Sequence, residues 1–282
     1  MQSLSALLRL DPFDAHNTLV TSAFFSPSVL AAIRLAVAAY TFVTLVFSIV
    51  WGIVVTKDAA GFFSYFTHLT YCGICGYFFA AGIQTALYAR YGQTTYPLQK
   101  WAKPWQFLHL ALLSTITVFP ILVSIVFWGI LDTASTFDNA FDTWTAISVH
   151  LFNSVFALFE ILLTNTPPAA WILHPLGLLI LIGYTGIIYI TYATQGFYAY
   201  AFMAPDGHPG RLALHILGVG LGHAVVFCFV HGIVLLRQKS VKRFLPASKT
   251  VASRTNTLDS NDKSVWNDSD IPAENASSKC EV

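Results

Sequence analysis

The chain has 282 residues, 55% hydrophobic, 15% aromatic and only 10% charged, where soluble domains run near roughly 25% charged. That balance excludes an ordinary soluble domain and marks an integral membrane protein. A formal net charge of +1 leaves no basic face to neutralise phosphates, which excludes a nucleic-acid partner.

Six apolar runs are long enough to cross a hydrocarbon core of about 30 Å, which takes roughly 20 helical residues. They lie at 29 to 55, 62 to 88, 105 to 131, 144 to 163, 172 to 192 and 212 to 236. None has the alternation of a membrane β-barrel strand, so the predicted fold is all-α, a bundle of six transmembrane helices. Residues 1–28 form an N-terminal segment with no cleavable-signal pattern, so the first helix is expected to act as its own insertion signal. Residues 29–236 form the membrane domain. The tail, 237–282, is rich in Ser, Asn, Asp and Lys with little to bury and is expected to be disordered. Trp51, Trp105, Trp128, Trp144 and Trp171 fall near predicted helix ends, where amphipathic rings favour the interface. Cys72, Cys75, Cys228 and Cys280 are too scattered for a disulfide framework, and the Cys72/Cys75 pair reads as small residues packing a helix face.

Six spans place both termini on one side, and the basic residues choose which side. Arg9, Arg34, Arg90, Lys100, Lys103, Arg237, Lys239, Lys242 and Arg243 share a side with the termini. The opposite loops hold only Lys57 and Arg211 as basics, with Asp58, Asp132, Asp138, Asp142 and Asp206. Cytosolic termini are therefore expected, in the endoplasmic reticulum or plasma membrane.

Polar residues within the spans are the functional candidates, because ionisable groups there are costly. In Ser148 to Glu160 (SVHLFNSVFALFE), His150, Asn153, Ala157 and Glu160 fall on one side of a helix at 100° per residue. In Ser64 to Cys75, Ser64, Thr67 and Thr70 or Tyr71 do the same. Arg34 is expected to snorkel to the cytosolic surface. Glu160 lies about 15 Å below His150, too far to orient it, and reads as a helix-end partner for a hydroxyl or cation. Thr67 and His150 come out about 7 to 9 Å in from the same face. A hydroxyl becomes a nucleophile when a base takes its proton, and neutral imidazole suits that task. The same pair also reads as an interhelical hydrogen bond without chemistry. Ser64, Thr70, Tyr71 and Asn153 are oxyanion-donor candidates by helix face.

Three segments carry a resemblance: Tyr65-Phe66-Thr67 opening span two, His150 with Glu160 ten residues on in span four, and Gly183-Tyr184 followed by Gly196-Phe197-Tyr198-Ala199-Tyr200-Ala201-Phe202 leaving span five. Phe119-Pro120 and Phe127-Trp128 in span three add a weaker echo. In these segments, which fall within 60 to 203, the chain resembles the androgen-induced gene family of multispan membrane proteins. The resemblance implies a hydrolase of fatty acid esters of hydroxy fatty acids, with Thr67 as nucleophile, His150 as general base, no metal or other cofactor, and a lipid substrate entering from the bilayer. Phe63, Phe66 and Phe156, flanking the two polar stripes, are expected to line an acyl pocket, and a direct Thr67 to His150 hydrogen bond is expected, with His68 turned away. Family members often carry a second histidine and an asparagine just before the catalytic histidine, where this chain has Ala146, Ile147, Ser148 and Val149. Two other classes remain open: a haem-binding electron carrier with histidines paired across facing helices, and a non-catalytic membrane adaptor acting through its tail.

Overall fold

In the computed structural model, residues 10–131, 137–205 and 209–244 are described. Six helices long and apolar enough to cross a membrane follow one another: α1 Pro27–Thr56, α2 Phe66–Arg90, α3 Lys103–Leu131, α4 Ala140–Leu163, α5 Leu173–Gln195 and α6 Pro209–Phe244. No β-strand occurs among the described residues. The chain is an integral, multispan, all-α membrane protein. The helices form one compact unit up to Lys239; in a second unit, from Ser240 to Val282, only the end of α6 is described. Arg9, Asp132, Asp206 and the tail after Phe244 lie outside the described residues.

Local chemistry sets the helix ends. Ser26 caps α1, its side chain accepting from the Val29 amide, with Pro27 in the first helical position, where a missing N–H costs nothing. Gly196 ends α5 at φ 80°, a left-handed turn that an L side chain resists, and its amide closes on the Tyr192 carbonyl. Small residues bring α1 against α2: Ala31 and Ala38 are buried, and a Cβ on Gly82 would stand 2.8 Å from Leu35 Cδ2. The predicted second span begins four residues too early, because Phe62–Ser64 is a separate 3-10 turn and Tyr65 is extended. Thr67 is therefore the second residue of α2.

Residues 10–25 cover one end of the bundle. The Asp14 carboxylate accepts from the Thr18 and Leu19 amides, the Thr18 hydroxyl and the Tyr96 hydroxyl at 2.8, 3.0, 2.6 and 2.7 Å. Asn17 donates to the Thr94 carbonyl, and Asn165 Nδ2 to the Thr21 hydroxyl. Leu10, Phe13, Leu19 and Val20 join the hydrophobic core.

Arg34 does not snorkel. It is fully buried, with Nε and Nη2 on the two Glu160 oxygens at 2.8 and 2.7 Å, and Nη1 on the Leu19 carbonyl and the Thr85 hydroxyl at 2.8 and 2.7 Å. Tyr77 donates to the same carboxylate at 3.2 Å. A guanidinium inside a helix bundle is tolerated because a bidentate carboxylate and two further acceptors replace its water. Glu160 does have a cationic partner, and the pair ties α1, α2, α4 and the N-terminal cover together. Arg237 is likewise drawn inward, donating to the Ile161 and Thr166 carbonyls past the end of α4.

Candidate active site

His150 sits in an irregular part of α4. Between two regular stretches, Ala140–Ala146 and Asn153–Leu163, residues Ile147–Phe152 wind as a π-helix. The ends of α3, Phe127–Leu131, and of α1, Gly52–Thr56, are also π segments. Such segments are rare and often accompany functional sites, since they re-aim side chains and leave carbonyls poorly paired. The hydroxyl of Ser124 on α3 donates to the His150 carbonyl. Ser154 in turn donates to the carbonyl of Pro120 at 3.0 Å. These contacts pin the π segment to α3.

The His150 ring lies flat on Phe127, with centroids 3.5 Å apart and 4° between planes. Its Nδ1 is buried and has no hydrogen-bond partner among the described residues. A ring face, not a carboxylate or a second histidine, fixes the imidazole plane.

Thr67 and His150 line one chamber of about 270 Å³, together with Tyr65, His68, Phe127, Leu131, Ala199 and Tyr200. The structure thus brings the two predicted residues to one space. No hydrogen bond between them is found among the described residues, contrary to the direct contact expected: both line the chamber, and Nδ1 of His150 has no partner there. His68 was expected to turn away but shares the chamber. Its Nδ1 is engaged by the Phe62 carbonyl at 2.6 Å, and its ring stacks on Phe62. A recess of about 330 Å³, lined by His68, Phe127, His150, Asp142, Thr145, Ala146 and Val149, shares His68, Phe127 and His150 with it.

On the other side of Thr67 lies a larger cavity of about 600 Å³ between α3, α5 and α6. Its walls are almost wholly apolar, with Leu122, Val123, Leu181, Ile188, Met203 and Ile216 among them. Ile182, Leu217 and Leu221 border it and are also exposed on the outer surface, so it opens sideways to the lipid side. Of the three phenylalanines expected there, only Phe66 lines it. Phe63 points outward at 54% exposure, and Phe156 packs with Tyr40, Phe78 and Phe152. An aromatic beside a polar stripe cannot be assigned to lipid, core or cavity without knowing which neighbours flank the helix.

None of the four expected oxyanion donors lines either space. Ser64 accepts from Thr191 at 2.9 Å, Thr70 donates to the Thr67 carbonyl at 2.9 Å, Tyr71 is buried without a partner, and Asn153 is turned back on the Val149 carbonyl at 2.7 Å. Tyr200, to which the sequence assigned no site role, lines both spaces. The left-handed turn at Gly196 sends the chain back over the start of α2, where Phe197 packs on Gly61 so closely that a Cβ there would lie 2.7 Å from the ring. Tyr200 then packs on Tyr65 and Tyr184. Tyr184 itself clamps the α2 start, accepting from the Phe66 amide at 3.0 Å and donating to the Ser64 carbonyl at 2.8 Å.

Among the described residues, His174, His215, His223 and His231 do not face across a slot as a haem would require. His174 and His223 lie ring on ring at 5.1 Å and 12°, and lone pairs in near-parallel stacked planes do not converge on one metal atom. His231 stacks on Trp171 at 4.6 Å, and the His215 Nδ1 is engaged by the Phe202 carbonyl at 3.0 Å.

The fold and site define a six-span helical membrane protein in which a chamber lined by Thr67 and His150 shares part of its wall with an apolar cavity. No family model, curated protein or solved structure matches the chain.

Proposed function

We propose that this chain is an intramembrane threonine hydrolase that cleaves lipid esters, such as fatty acid esters of hydroxy fatty acids. Thr67 is the nucleophile and His150 the general base, as the family resemblance implies. The observation that carries the reading is the position of Thr67 in the wall of both spaces: an acyl chain laid in the apolar cavity would bring its ester carbonyl to the Thr67 hydroxyl, with His150 across the chamber to take the proton. The alcohol half of the ester would lie in the chamber and leave past His68 and Asp142. The sideways opening suits a substrate dissolved in the bilayer. The protein would act in the endoplasmic reticulum or plasma membrane with both termini cytosolic.

The test is hydrolysis of a long-chain lipid ester by purified protein, with covalent labelling by a serine-hydrolase activity probe. Thr67→Ala is expected to abolish both, and Thr67→Ser to retain part of each because the hydroxyl survives. His150→Ala is expected to lower turnover about 100- to 10,000-fold, the usual contribution of a positioned base. A fully active Thr67→Ala protein sinks the proposal.

A further inference from the structure

The chamber and the apolar cavity share four wall residues, Thr67, Phe127, Leu131 and Tyr200. Two of the four are hydrocarbon. The other two carry hydroxyls, and an ester spanning the two spaces has its carbonyl group at that boundary.

We infer that Tyr200 is a catalytic residue, donating its phenolic proton as a hydrogen bond to the carbonyl oxygen of an ester attacked at Thr67. The inference rests on the threonine-hydrolase reading and adds to it the electrophilic half of the site.

Three observations support the assignment. The Tyr200 hydroxyl is turned toward the hydroxyls of Thr67 and Tyr184 and toward the backbone amides of Phe66 and Thr67. The Tyr184 proton is committed to the Ser64 carbonyl at 2.8 Å, so Tyr184 cannot serve the chamber as a donor. The Phe66 amide donates to Tyr184 at 3.0 Å, so of the first helix amides, which lack intrahelical acceptors, it is the Thr67 amide that is left to face the Tyr200 oxygen. Burial raises the phenol above its usual range, while the neighbouring hydroxyls and amides act in the opposite direction, so Tyr200 stays protonated near neutral pH and able to donate.

In the acylation step the Thr67 oxygen bonds to the carbonyl carbon as its proton passes to the His150 imidazole. The carbonyl π pair moves onto oxygen, and the Tyr200 O–H bonds to that oxyanion without giving up its proton. The pair then returns, the C–O bond to the alcohol breaks, and the alkoxide takes the proton from imidazolium. Water attacking the acyl-threonine repeats the sequence, releasing the acid and restoring Thr67. A donor that strengthens as charge develops on oxygen acts on the transition state more than on bound substrate.

Tyr200→Phe keeps the ring and its contacts with Tyr65 and Phe202. The expected result is a fall in kcat of about 100- to 1000-fold, with KM changed less than about 3-fold and an unaltered melting temperature. Tyr198→Phe, in the same segment but stacked on Tyr192 at 4.2 Å outside both spaces, is expected to keep the wild-type kcat. If Thr67→Ala is inactive while Tyr200→Phe keeps its kcat, or changes only KM, the Tyr200 role is overturned and the hydrolase reading stands. A loss of kcat that tracks a fall in melting temperature also overturns it. If Thr67→Ala retains activity, both readings fall together.

Discussion

A flat stack on Phe127 is an unusual way to hold the base proposed here, and it makes the orientation of His150 depend on packing. Aromatic pairs of this kind contribute about 0.5 to 1.5 kcal/mol beyond burial. Phe127→Leu, which keeps the volume apolar but removes the ring face, is expected to lower kcat by up to about tenfold, with the protein still folded by melting temperature. An unchanged kcat would mean that something else orients the imidazole. A second residue-scale contact sits away from the site, where α5 meets α6: a Cβ on Gly177 would lie 2.4 Å from His223 Nε2. The imidazole has little room to yield, since it stacks on His174 and lies beside Phe119. Gly177→Ala is expected to cost about 1 to 3 kcal/mol through overpacking, and His223→Ala added to it should recover part of the loss. Additive effects of the two changes, measured by thermal unfolding in detergent, would refute the contact. Nothing in the sequence exposes such a pair, because the two residues belong to different helices and each is unremarkable in its own.

At the scale of the element, helical periodicity made most of the site legible. The spacing of Asn153, Ala157 and Glu160 predicted one face, and all three are buried. The same assumption of regular winding concealed the π segment, since a change of winding leaves no mark in residue type. Deleting Leu151, which is exposed, would let Ile147–Phe152 relax to an α-helix and turn His150 by about 100° relative to Asn153. Activity is expected to fall at least about 100-fold, the lower bound for losing a positioned base; a deletion variant with wild-type turnover would show that the π segment is incidental. The Arg34–Glu160 pair was half legible: Glu160 called for a partner, but the partner lies on another helix, and an arginine near a predicted helix end reads as a surface anchor. Removing one member of a buried pair strands the other charge, so Arg34→Met or Glu160→Leu alone is expected to cost about 3 to 5 kcal/mol. The double variant should be less destabilised than either single one, and thermal unfolding that shows simple additivity would argue against a coupled pair.

For the whole molecule, the even number of spans and the Lys and Arg bias both bear on orientation, and the bias does not depend on the two inward-turned arginines. With Arg34 and Arg237 set aside, Arg90, Lys100, Lys103 and Lys239 still lie at the end covered by residues 10–25, while Lys57 and Arg211 lie at the end that holds Thr67 and His150. Cytosolic termini then require the chamber to face the lumen or exterior. In a chain whose native cysteines are replaced by alanine, Asp58→Cys is expected to react with an impermeant reagent on sealed membranes, and Thr95→Cys only after permeabilisation; the reverse pattern would invert the topology. Tyr200 shows why the rest of the site was hidden: it lies in an aperiodic return segment, where no spacing rule applies and only the folded path over α2 brings it to Thr67. The apolar cavity was hidden for the same reason, being a gap among three helices that no single helix encodes. Its use can be tested at Gly220, which lines it. A Cβ there meets nothing nearer than Leu178 Cδ2 at 4.0 Å, so the β-carbon of a side chain added at Gly220 displaces no neighbour. Gly220→Leu should fold normally and shorten the cavity. Its kcat/KM is expected to fall at least about tenfold on long acyl esters, the equivalent of about 1.4 kcal/mol of lost transition-state binding, and to change little on short ones whose chains do not reach that depth. Equal losses on long and short esters, or none on either, would show that the acyl chain lies elsewhere.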